Sequence, residues 1–175
     1  MALSLHQAFV PNCQQTLDAL SGLIDKGEAH VKEHGLTDAD LIEAQLAGDM
    51  WPLPWHVRSC WVHSAYAVEQ LQTGTFTPNF SDVPETWDAM RAQITDAQEK
   101  LAGFTEADLE PIADKDVAFI MGGKALFEGK GQEFLLSFNQ PNLYFHATTF
   151  YDILRHKGVT LGKTDFLGPM RLSRN

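Results

Sequence analysis

The sequence is poor in several features that would settle its class at once. It has only two cysteines, Cys13 and Cys60, and both fall inside apolar helical patterns. So few thiols argue against a disulfide-stapled scaffold, and buried thiols in a reducing cytoplasm suit them better than a bridge. Positive charge is scarce as well, with 13 Lys and Arg against 23 Asp and Glu and a formal charge of -10. A diffuse acidic surface repels phosphate backbones, which argues against nucleic acid as a partner. No apolar run approaches the length of a membrane span. The opening "MALSLHQAFVPN" lacks both a basic start and a long apolar core, so it does not read as a secretory signal. The expected location is the cytoplasm. There is no internal repeat, no low-complexity tract, no Gly-x-Ser-x-Gly and no His-Glu-x-x-His. "GGKALFEGKG" has the wrong spacing for a phosphate loop, and Gly131 stands where a Ser or Thr should follow Lys130.

What is present is helical periodicity. The chain has 175 residues, 44 % of them hydrophobic, which suits one domain over residues 1–175 with a substantial core. Leu5, Phe9, Thr16, Leu20, Ile24, Gly27 and Val31 trace a long first helix. Pro11 should kink it or displace its start, and Gly35 should end it. "TDADLIEAQLAGD" reads as a short amphipathic helix capped by Thr37 or Asp38 and stopped by Gly48. After the connector "MWPLPW", a second long helix is expected from about Pro54 to Leu71. "TFTPNFSDVP" reads as a crossing loop. A third long helix is expected from about Glu85 to Ala102, with Trp87, Met90, Ile94 and Leu101 inward. The acidic stretch from Glu106 to Asp116 reads as a solvated loop.

The pattern then changes. "DVAFIMGGKALFEG" has two short apolar runs around Gly122 and Gly123, the signature of a small β-hairpin. Helical spacing resumes in "GQEFLLSFNQ". Pro141 should kink or restart the helix that continues through "NLYFHATTFYDILRHKG". The tail from Val159 to Asn175 reads as an irregular strap. The expected class is therefore all-α, a four-helix bundle with a short extra helix and a small β-hairpin insertion.

Histidines supply the only candidate chemistry. His63 and His146 sit at internal positions of different helices, and Asn142 shares a face with His146 one turn earlier. Facing helices of such bundles often carry metal or ligand sites. A three-ligand divalent site wants His or carboxylate at all three places, and here the third offers an amide. His56, Cys60 and His63 form a stripe, but His56 and His63 are about 10 Å apart along the axis, too far to share one ion. Cys60 and His63 are close enough to share one; the simpler expectation puts Cys60 in the core and His56 near the helix start, partly in water. His30 and His34 lie at a helix end and suit its dipole. Trp51, Trp55, Trp61, Tyr66, Tyr144, Phe145 and Tyr151 crowd the candidate site as core or interface anchors, with a tyrosine expected to reach His146. Tyr66, Cys60 and Asp49 are the residues expected to line a pocket there. Asp49, in the connector, is the candidate carboxylate that a bound dication would need.

The stretch "PNLYFHATTFYDILRHKGV" followed by "LGKTDFLG" closely resembles the C-terminal signature of a bacterial domain of unknown function within the DinB/YfiT-like superfamily. "SLHQAFVPN", "LIEAQLAGDMWPLPWHVRSC" and "GQEFLLSF" resemble its other blocks, so the likeness covers nearly the whole chain. The resemblance implies a four-helix bundle, often a homodimer. It implies thiol-dependent transferase or isomerase chemistry, with Zn or Ni held by one histidine on the second helix and a His-x-x-x-His pair on the last. His63 matches the first and His146 the later member of the pair. Asn142 stands where the earlier member belongs.

Two functions follow as expectations. One is a divalent-metal enzyme of the thiol-transferase type, with Zn or Ni on His63, His146 and Asn142 and a thiol or other small molecule as ligand. The other is a bundle without metal, in which His63, Asn142 and His146 form a buried polar network lining a small-ligand pocket or supporting dimerisation.

Overall fold

A computed structural model describes residues 2–172; Met1 and the last three residues, the end of the expected strap, lie outside the described residues. Four long helical segments form the bundle. Helix α1 spans Leu5–His34 and begins where the Ser4 hydroxyl accepts a bond from the Gln7 amide. Gly35 closes it at a φ of 64°, a left-handed conformation that costs glycine little. Pro11 lies within α1 without ending it. Gln7, whose carbonyl the proline leaves unpaired, is exposed, so water can serve it. The short helix α2 spans Ala39–Ile42 and stops well before Gly48. Only Leu41 of α2 is buried, too little apolar contact to hold a longer helix.

The second long segment is composite. Helix α3 (Leu53–Trp61) runs into a π-helical segment (Val62–Tyr66) and then α4 (Ala67–Gln72). Helix α5 spans Trp87–Gly103, with Thr86 as its cap. The acidic stretch is helical, not a loop: α6 spans Glu106–Ala113. Its N-terminus is a capping box in which the Asp108 carboxylate accepts bonds from both the amide and the hydroxyl of Thr105. Buried Leu109 and Ile112 then anchor it to the bundle.

The expected hairpin is present as β2 (Asp116–Met121) and β3 (Lys124–Lys130), antiparallel about Gly122 and Gly123. A third strand was not expected. Within the supposed crossing loop, β1 (Thr75–Phe76) pairs parallel to β2 through Ala118 and Phe119. Helix α7 (Gly131–Glu133) leads into a second π-helical segment (Phe134–Asn139) and then α8 (Gln140–His156). Pro141 lies in the first turn of α8, where a missing N–H is tolerated, and the helical path continues through it. Gly131 is pressed against α6: a Cβ there would meet the Ile112 carbonyl oxygen at 2.2 Å. Inside the expected strap, Lys163–Leu167 forms a short helix α9.

Helix α1 packs on α5 and α8, and α3 packs on both as well, which closes the bundle. Phe9, Leu17, Leu20, Ile24, Leu53, Met90, Ile94, Leu143 and Phe150 fill its axis. Each such side chain contributes roughly 1.5–3 kcal/mol by leaving water. Among the described residues no helix is long and apolar enough to cross a membrane. Cys13 and Cys60 are both buried free thiols.

Candidate functional site

The two π-helical segments face each other across the bundle, one carrying His63 and the other ending in Asn139. π segments recur at functional sites because an extra residue per turn re-aims side chains. His56 and His63 lie seven positions apart on one strand of the bundle, and Asn139 and His146 lie seven apart on the other. The two segments run in opposite directions. His63 therefore meets Asn139, and His56 meets His146.

These contacts fix the protons. The Trp51 carbonyl can only accept, so the His56 Nε2–H must donate to it across 3.1 Å. A neutral His56 then has a lone pair on Nδ1, and it receives the Nδ1–H of His146 at 3.0 Å. His146 is left with a bare Nε2. The second relay works alike. Asn139 donates its amide to the Phe134 carbonyl, so its Oδ1 faces His63 and accepts the Nδ1–H of that ring at 2.9 Å. His63 is also left with a bare Nε2. Neither Nε2 has a hydrogen-bond partner among the described residues, and neither is a sealed, unsatisfied atom. The two rings are nearly parallel, at 6°, with centroids 6.0 Å apart.

Burial keeps these imidazoles neutral. Desolvation pushes His63 down to about 4, with the Asn139 bond opposing and the Arg58 charge assisting. It pushes His146 down to about 3, assisted by His56, His63 and Arg58. His56 is lowered by burial too, partly offset by its bond to Trp51.

Both rings line a cavity of about 170 Å³ with Arg58, Asn142, Trp51 and Phe80 among its other walls. Trp51 and Phe80 are 41 % and 50 % exposed and form its rim. The Trp51 ring lies parallel to His146, at 11° and 6.1 Å. Arg58 is only 2 % exposed. Its Nε donates to the Ser81 carbonyl, and its guanidinium lies 5.2 Å from the ring centres of both Trp55 and Phe80. Its Nη2 is buried with no partner.

The structure brings His63, His146 and Asn142 to one cavity. The other expected pocket residues are elsewhere. Cys60 is fully buried against the Leu143 carbonyl, because it lies on the face between α3 and α8. Tyr66 donates its hydroxyl to the Thr77 carbonyl and packs at a tilt on Trp61, and among the described residues no tyrosine bonds His146. Asp49 is exposed in a turn and is not among the lining residues. His56 is not partly in water; it is buried and bonded directly to His146. Asn139 and Arg58 were not singled out from the sequence. The matched spacings His56–His63 and Asn139–His146 carried the signal for Asn139.

A resident Zn or Ni can be tested against this donor set. Metal-ligating histidines typically have the Nδ1–H anchoring seen here. The remaining donors do not fit. Asn142 offers an amide whose nitrogen is bonded to the Phe138 carbonyl. No group of three His, Cys, Asp or Glu suited to a metal occurs among the described residues. A guanidinium cation lines the same cavity. Two neutral imidazoles, one amide oxygen and a cation give a dication no charge compensation.

Fold and site together define a DinB-like helical bundle with a histidine-lined cavity. A crystal structure titled as a DinB family member from Shewanella denitrificans, at 1.83 Å resolution, superposes with a TM-score of 0.83 and 31 % identity, covering 98 % of this chain and 96 % of that one. Residues 5–167 match the family described as a domain of unknown function, DUF1993, and the chain belongs to that family. No curated protein matches it.

Proposed function

We propose that this chain is a small-molecule-binding DinB-like protein whose cavity works without a resident divalent ion. One observation carries the reading: two neutral imidazoles have their Nδ1–H groups committed and their Nε2 lone pairs open, beside a buried cation. Two fixed acceptors suit a ligand that presents hydrogen-bond donors, such as a hydroxyl, amine or thiol. The aromatic rim of Trp51 and Phe80 suits an apolar portion. Imidazoles held at about 4 and about 3 are weak bases at neutral pH, which favours holding a donor over abstracting a proton.

The test is metal content. Untagged protein, purified without chelator and dialysed against Zn and then Ni, should retain far less than one ion per chain. About one ion per chain, lost in both His63→Ala and His146→Ala, would overturn the reading and restore a thiol-transferase metal centre.

A further inference from the structure

We propose that Arg58 makes this cavity a carboxylate-recognition site: the ligand is a small monoanion that places its carboxylate on the open Nη1 of the Arg58 guanidinium and a donor group on the Nε2 atoms of His63 and His146. The inference rests on the small-molecule reading above and adds the chemical class of the ligand.

Arg58 is built in, not draped over the surface. It is nine-tenths buried or more, and its planar head is held between Trp55 and Phe80. The Nε–H is used by the Ser81 carbonyl, which fixes the rotation of the head. That leaves the two Nη groups, and neither has a partner among the described residues. Nη2 is fully buried, closed to water and ligand alike, so the group left to the cavity is Nη1. A buried charged donor without an acceptor is costly, and such groups call for an explanation in native structures. Asp82 acts on Arg58 only through space, since its carboxylate is bonded to Asn79 and Ser81 and forms no ion pair with the guanidinium.

Charge selects the anion. The open Nη1 can make a charge-assisted bond to a carboxylate oxygen. One cation balances a monoanion, whereas a phosphate dianion would leave excess charge against aromatic walls. The cavity of about 170 Å³ suits a short acid. The lone pairs of His63 and His146 then require that this acid also carry an O–H, N–H or S–H group.

The experiment compares acids with their uncharged counterparts on the wild-type protein. Lactate, mercaptoacetate and glycolate are titrated against lactamide, followed by 15N NMR of the Arg58 side chain, the Trp indoles and the histidine rings. At least one acid should shift Arg58, His63 and His146 saturably, at about tenfold or more lower concentration than lactamide. Arg58→Gln should lose that preference. If lactamide shifts the two histidines as readily as the acids, the carboxylate assignment fails and the cavity reading survives. Tighter binding of inorganic phosphate than of any acid also overturns the assignment. If no acid and no lactamide shifts any cavity residue, both proposals fall. The acid-against-amide comparison needs no variant, so misfolding of an Arg58 substitution cannot rescue the idea.

Discussion

Arg91 and Arg58 show how differently two regions of this molecule treat the same side chain. Arg91 lies where α1 meets α5, its side chain 30 % exposed, and it bonds Asp25, Glu28 and Asp88. Arg58 is 2 % exposed and has a single backbone carbonyl. A chain with 23 acidic residues has carboxylates to spare, yet Arg58 is paired with none of them. The first arginine satisfies itself within the fold. The second is held rigid with its donors unspent, which is how a binding site is prepared rather than how a bundle is stabilised.

Acid should separate the two regions most strongly. His63 falls from the ordinary 6.5 to about 4 on folding, so between those values the unfolded chain binds more protons than the folded one. The stability from its neutral form is complete above pH 6.5 and is lost as pH falls toward 4. For His63 alone the loss is on the order of 3 kcal/mol. His146, at about 3, extends the decline further down. Glu28 on the other face is lowered by bonds from Lys32 and Arg91, so it protonates only below the ordinary carboxylate range. Denaturant melts from pH 7 to 4 should show the drop, and His63→Gln should flatten it. An unchanged slope in that variant would remove His63 from the account.

Arg58→Met comes next. Removing a buried, unpaired cation should raise stability by about 1–3 kcal/mol while abolishing carboxylate binding. A destabilisation instead would mean that Arg58 is structural like Arg91. Asn139→Leu should cost about 1–3 kcal/mol, because the His63 Nδ1–H and the Phe134 carbonyl both lose their partner. It should also disturb the His63 ring signal more than that of His146, since the two relays are separate. Arg91→Met should have the smallest effect, under about 1 kcal/mol and shrinking further in salt. A larger loss there, insensitive to salt, would break the contrast from the other side.

Much of the fold was legible because helical spacing reports which face is buried. The four long segments, the Gly35 stop and the Gly122–Gly123 hairpin follow from periodicity and turn chemistry alone. Helix α6 did not, because its charge density masked Thr105-x-x-Asp108, the capping box that starts it. Strand β1 is two residues long and exists only because β2 offers an edge, which no local pattern announces. At the site, the axial separation of His56 and His63 bears only on whether one ion could bridge them. It hid the arrangement, since His56 works with His146 on the facing helix and not with His63 on its own. Asn142 drew attention as the missing ligand, while Asn139, one turn earlier on a π segment, is the amide that holds His63. Asn142 and His146 both lie within α8, where four-residue spacing holds and both line the cavity, whereas Asn139 lies on the π segment, outside that spacing.

The central claim is that two separate relays leave the Nε2 atoms of His63 and His146 bare. Long-range 1H–15N correlation of the imidazole rings at pH 7 reads it directly. His63 and His146 should be neutral with the proton on Nδ1, and His56 should carry its proton on Nε2. An Nε2–H on either His63 or His146, or a positively charged ring at that pH, would contradict it.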